Sequence, residues 1–235
     1  DQLSLQAFKE MTSETYNLKE VVLGQRGIPE GMNSLIMAGP EKEFSEYELY
    51  QIDQALMRGT NLAIFLDSFS QKTTPQQQRM GQPPQYVPNK TGLEKLLNQY
   101  GLDLEEAIVL DEKCFKQQLP QSRGGGQQPI YFAPIIENQN INHELPFMNN
   151  IKGLVTLKNA PVKLKESTLK DHGLQGHTLY SSSEKSWTMT GRINLNPMLL
   201  SPPNSDDEQF SRPLAAMVEG EFTSYFKGKP IPEKE

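Results

Sequence analysis

The chain has 235 residues, enough for one large α/β domain or two small ones. Its formal charge of −6, with no long basic run, argues against nucleic acid as a partner. The single Cys114 excludes an internal disulfide, no apolar run reaches the roughly 18 residues of a membrane-spanning helix, and no signal peptide is recognisable. Both ends read as cut points rather than natural termini.

Leu3, Leu5, Phe8 and Met11 are spaced as one face of an amphipathic helix ending before Tyr16. Tyr16 to Leu23 (YNLKEVVL) reads as a strand, with Val21 and Val22 its most buried part, and Gln25 to Met32 as a loop. The organising stretch follows, from Asn33 to Phe69. Leu35, Ile36 and Met37 form a short apolar run of the kind buried on both faces of a parallel sheet, ended by Gly39-Pro40. Ser45 and Glu48 make a capping box, and Phe44 and Leu49 a hydrophobic staple. Leu49, Ile52 and Leu56 share one helical face, while Glu46, Glu48 and Gln51 are expected to point away from it. Arg58 and Gly59 suit the helix C-terminus. Leu62 to Leu66 then reads as a second buried strand, stopped by Asp67 and Ser68. Strand, helix and strand of these lengths imply a right-handed crossover and a parallel sheet.

Residues 70–90 are rich in Gln, Pro and Thr, lack periodicity, and read as a mobile loop rather than a lid. Thr91 and Glu94 repeat the capping-box device before Leu93, Leu96, Leu97 and Tyr100, with Gly101 closing the helix. Ala107 to Leu110 is a further buried strand, and Ile130 to Ile136 an extended one despite Pro134. Beyond His143 the character turns towards β, with strand candidates at 153–157, 162–164, 177–181 and 214–218. The Lys and Glu of KLKESTLK read as solvated charge. The expected architecture is a doubly wound, mainly parallel α/β sheet, flavodoxin-like or glutamine-amidotransferase-like. One unit spans 1–235, with a parallel core over 1–150 and a β-rich extension over 151–235 packed on it.

Catalytic constellations are sparse. His143, His172 and His177 carry no metal-ligand spacing with Cys or Glu, so no metal is expected. His172 and His177 flank two glycines and read as a surface turn. Asp111-Glu112 and Glu105-Glu106 read as solvated charge. Gly124–Gly126 lacks the Lys-Ser/Thr of a phosphate loop and reads as a linker. Cys114 has acidic neighbours that raise a thiol pKa, so it is expected to be inert, and Ser68 lacks the small-residue elbow of a nucleophile. No cofactor and no catalytic residue are expected. Ligands of open α/β sheets gather at the C-terminal strand ends. That places the candidate binding residues at Gly39, Pro40, Asp67 and Ser68, with Trp187, the only Trp, as an alternative anchor.

The order of SLIMAGPEKEFSEYELYQIDQALMRGTNLAIFLD, TGLEKLLNQYGLDLEEAIVLDEKC, INHELPF, YSSSEKSWTM and PLAAMVEGEFTSYF resembles the extracytoplasmic domain of the GldG-like auxiliary component of ABC-type transport systems, associated with gliding motility. The resemblance runs from about Leu3 to Phe226. Thr60 departs from it, a second Gly being commoner there. It implies an amidotransferase-like or flavodoxin-like build and carries no catalytic residues over. It also implies a periplasmic or extracytoplasmic, membrane-anchored, non-enzymatic domain. Its membrane segments lie outside this sequence, and its partners are ABC transporter membrane subunits or other envelope proteins. The alternative is an amidotransferase-like enzyme or sugar-binding domain using the crevice at the strand ends.

Overall fold

A computed structural model describes residues 2–205 and 207–234. After helix α1 (Gln2–Ser13), strand β1 (Ser34–Ala38), helix α2 (Glu46–Met57) and strand β2 (Asn61–Phe65) form the expected strand–helix–strand unit. The two strands pair in parallel, Leu35 against Leu62 and Met37 against Ile64. The Ser45 hydroxyl accepts from the Glu48 N–H, and the Glu48 carboxylate accepts from the Ser45 N–H, so both halves of the capping box are made. Gly59, at φ +88°, takes the left-handed conformation that ends the helix.

The remainder departs from a doubly wound sheet. Among the described residues the strands form five two-stranded sheets and one three-stranded sheet, and β1–β2 is the single parallel pair. Strand β3 (Phe69–Lys72), the short helix α3 (Pro75–Arg79) and strand β4 (Gln85–Pro88) make an antiparallel arm from the segment expected to be a structureless loop. Helix α4 (Leu93–Gln99) is followed by β5 (Leu102–Leu104), β6 (Ala107–Asp111), β7 (Cys114–Gln118) and β8 (Gln127–Glu137). Next come β9 (Gly153–Val155), β10 (Val162–Leu164), helix α5 (Glu166–His172), β11 (Gln175–Ser181), β12 (Ser186–Thr190) and β13 (Pro213–Glu219). β7, β8 and β9 form a meander, while β10 pairs with β5, β12 with β6 and β13 with β11. The physical reason is connection length. A parallel crossover needs about a dozen residues or more, and only residues 119–126 separate the paired strands β7 and β8.

Several local expectations change with it. Residues 17–22 form no strand: Val21 and Leu23 pack on the first core from a loop, and Val22 is exposed. β1 alternates instead of burying both faces, so Ile36 is 43% exposed, and on β2 Phe65 is 64% exposed. Leu3 and Leu5 have side chains outside the described residues, and the Phe8 and Met11 side chains of α1 are exposed. Gln51 is turned in rather than out, its side-chain oxygen accepting from the Gly24 N–H at 2.8 Å. The second capping box is half made: the Glu94 carboxylate accepts from the Thr91 N–H at 3.3 Å, but Gly92 precedes α4 at φ +84° and the Thr91 hydroxyl accepts from the Leu93 N–H rather than from that of Glu94. The charged stretch around Lys165 contains α5, held by the one buried side chain Leu169.

Three cores result. The first gathers Leu35, Met37, Leu49, Ile52, Leu93, Leu96 and Tyr100 with Phe226 from the chain's end. The second holds Phe69, Ile108, Leu110, Cys114, Tyr131 and Trp187, and the third Val109, Ile136, Ile141, Met148 and Leu214. β6 is buried along its whole length and sends alternate side chains into the second and third cores.

Candidate functional site

β1 and β2 end side by side. The Gly39 N–H donates to the Phe65 carbonyl at 2.8 Å, and the chain then leaves through Pro40-Glu41 on one side and Asp67-Ser68 on the other. Asn89, buried just after β4, ties the two exits together. Its side-chain amide donates to the Pro40 carbonyl at 2.9 Å and to the Asp67 carbonyl at 3.0 Å, while its own N–H reaches the Ser68 carbonyl. Sequence reasoning passed over Asn89, since one Asn within a polar, proline-rich stretch carries no distinguishing pattern.

A cleft of about 270 Å³ opens at this point, lined by Glu41, Asp67, Gln71, Tyr86, Asn89 and Lys158 over a floor that includes Phe69 and Ile108. The β3–β4 arm supplies Phe69, Gln71 and Tyr86, and the turn between β9 and β10 supplies Lys158. Lys158 was also missed. It lies some 90 residues from Asp67 in sequence, and the turn that carries it marks nothing chemical. Its backbone sits at φ +56°, in the left-handed region that disfavours a residue with a Cβ. Its ammonium lies 5.5 Å from the centre of the Tyr86 ring. On the same turn, the Thr156 hydroxyl and the Asn159 side-chain oxygen are buried without a partner.

The Asp67 side chain is more than a third exposed, yet the cleft walls remove enough water to raise its carboxyl above the ordinary 3.8. Lys158 pulls the other way, and Glu41 adds a smaller upward push.

The other expected site residues are distributed differently. Gly39 and Pro40 stand beside the cleft without lining it. Ser68 is buried and donates to the Ala107 carbonyl at 3.1 Å, which fixes the strand end to β6. Trp187 is 5% exposed, pairs with Leu110 across β12 and β6, and meets Tyr131 edge-on at 5.2 Å. Cys114 is buried, and burial pushes its thiol up. Asp111, expected to be solvated, is fully buried and accepts from the Lys113 N–H and from both the N–H and the hydroxyl of Ser183. His177 pairs with Glu219 at 3.0 Å, and His172 ends α5. Among the described residues no group of three or more His, Cys, Asp or Glu is placed to hold a metal ion.

A family model described as an ABC-type uncharacterized transport system matches residues 2–235. The chain belongs to that family. That family's description points to an auxiliary part of such a transport system. No described helix is long and apolar enough to cross a membrane. No curated protein matches the chain. Among solved structures it is similar to the "mmIFT52 N-terminal domain" at 14% identity and a TM-score of 0.48, over 76% of this chain and 65% of that one. A likeness of that size carries no argument about function.

Proposed function

We propose that this chain is the non-catalytic extracytoplasmic domain of a membrane-anchored, GldG-like accessory protein that acts with an ABC transporter by binding. On this reading it sits on the periplasmic face of the bacterial inner membrane and contributes to a transport system linked to gliding motility. Membrane subunits of the transporter or other envelope proteins are its partners. The observation that carries the reading, beyond family membership, is the cleft at the C-terminal ends of β1 and β2, walled by the β3–β4 arm and Lys158. It holds hydrogen-bonding groups and an apolar floor, the make-up of a binding surface. Gly39 and Pro40 stand beside it, Asp67 supplies an acceptor, and Ser68 anchors the strand end.

The test uses the full-length, membrane-embedded protein. Crosslinking followed by purification is expected to recover it with the transporter's membrane subunits. Asp67→Ala, and a variant whose residues 73–84 are replaced by a two-residue hairpin turn, are expected to loosen that association while the domain stays folded. Unchanged association in both folded variants removes the cleft from the partner contact.

A further inference from the structure

Asp67 and Lys158 line one cleft and feel each other's charge, yet no ion pair joins them. The Lys158 ammonium is held over the Tyr86 ring instead, and Glu41 stands on the Asp67 side. Opposite charges kept apart across a concave surface leave a gap that a ligand with both charges fills. Resting on the reading of this cleft as a binding site, we propose that it takes a small zwitterion of the α-amino acid type. The ligand's ammonium would face Asp67 and Glu41, and its carboxylate Lys158.

Other ligand classes fit less well. An anion meets two carboxylates against one ammonium, and a simple cation meets Lys158. A neutral polyol leaves both partly desolvated charges without a counter-charge. A zwitterion satisfies both ends with charge-assisted hydrogen bonds, and Phe69, Ile108 and Tyr86 offer its side chain an apolar wall. The cleft, at about 270 Å³, lies just under the roughly 300–1,000 Å³ of pockets for drug-sized ligands, which suits one small molecule. The turn bearing Lys158 supports the same conclusion. It keeps a lysine at φ +56° where glycine fits without strain. Strain of that kind persists where the side chain it positions is used.

Calorimetric titration of the 235-residue chain with four probes tests the proposal: L-leucine, L-leucinamide, N-acetyl-L-leucine and D-glucose. Leucine is expected to bind saturably, leucinamide and N-acetyl-leucine at least about tenfold more weakly, and glucose not at all. Asp67→Asn should abolish leucine's advantage over N-acetyl-leucine, and Lys158→Gly its advantage over leucinamide. Lys158→Gly also relaxes the backbone, so its loss of binding is not a loss of fold. Equal affinity for leucine and its two singly charged derivatives, or preference for glucose, overturns the zwitterion. Silence from all four probes overturns it too, and if Asp67→Ala still loosens the transporter association, the cleft reading survives alone. Leucine binding with unaltered association supports the zwitterion and ends the partner-contact reading.

Discussion

Asp53 shows how one side chain fixes distant parts of the chain. It is fully buried on α2 and accepts from the Tyr100 hydroxyl at 2.6 Å, the Ser224 hydroxyl at 2.6 Å, the Tyr225 N–H at 2.8 Å and the Gln54 amide at 2.9 Å. Burial, reinforced by that carboxylate, pushes the Tyr100 phenol up, so it stays a donor throughout the physiological range. Asp53→Ala strands these donors and is expected to cost roughly 3 kcal/mol or more in urea unfolding; a loss under about 1 kcal/mol would show the latch to be idle. Asp67 works in the opposite direction. Its carboxyl is raised in the folded protein, so its stabilising contribution is fully present below the ordinary 3.8 and is lost as pH rises through the native value. Asp67→Asn removes that dependence. The variant's melting temperature relative to wild type should therefore be higher at pH 7 than at pH 3, and an unchanged difference would contradict the shift.

At the scale of elements, what was legible depended on whether the signal was local. α2 carries its start in Ser45 and Glu48 and its stop in Gly59, all within two residues of its own span, and the structure reproduces both. Ser45→Ala should cost about 1 kcal/mol, measured by thermal or denaturant unfolding. β6 was readable as buried from its apolar run AIVL, though Asp111, which ends it fully buried, was not. Its partner was not, because an apolar run does not encode direction. α5 escaped because it buries a single side chain, Leu169, which leaves no apolar stripe. What reveals it is contact from afar: a Cβ on Gly101 would lie 2.4 Å from the Leu169 Cδ2, so α5 packs where only glycine leaves room. Half of the candidate site was legible on the same terms. Asp67 and the strand ends follow from the βαβ pattern, whereas Lys158, Tyr86 and Asn89 arrive through tertiary folding of segments with no local signature.

At the scale of the molecule, the parallel unit is one station on a mostly antiparallel path. After β2 the chain proceeds by hairpins and a meander, and its late strands return to pair with earlier ones, β10 with β5 and β12 with β6. The last turn returns further still. Phe222 and Phe226 cross back to the first core, Phe222 against Tyr100 and Phe226 edge-on to Tyr50 at 5.4 Å, while Ser224 and Tyr225 between them are bonded to Asp53. The first core thus depends on residues more than 100 positions away in sequence, and the parallel unit cannot complete its apolar packing alone. Phe226→Ala is expected to cost about 3–5 kcal/mol and to accelerate amide exchange in α2 as well as in the C-terminal turn. The exposed Ile135 serves as the control, since Ile135→Ala should stay near 0.5 kcal/mol. If Phe226→Ala quickens exchange only after residue 220 and leaves α2 protected, the C-terminal segment merely drapes over the first core. If α2 loosens with it, the parallel unit and the C-terminal segment form one cooperative unit.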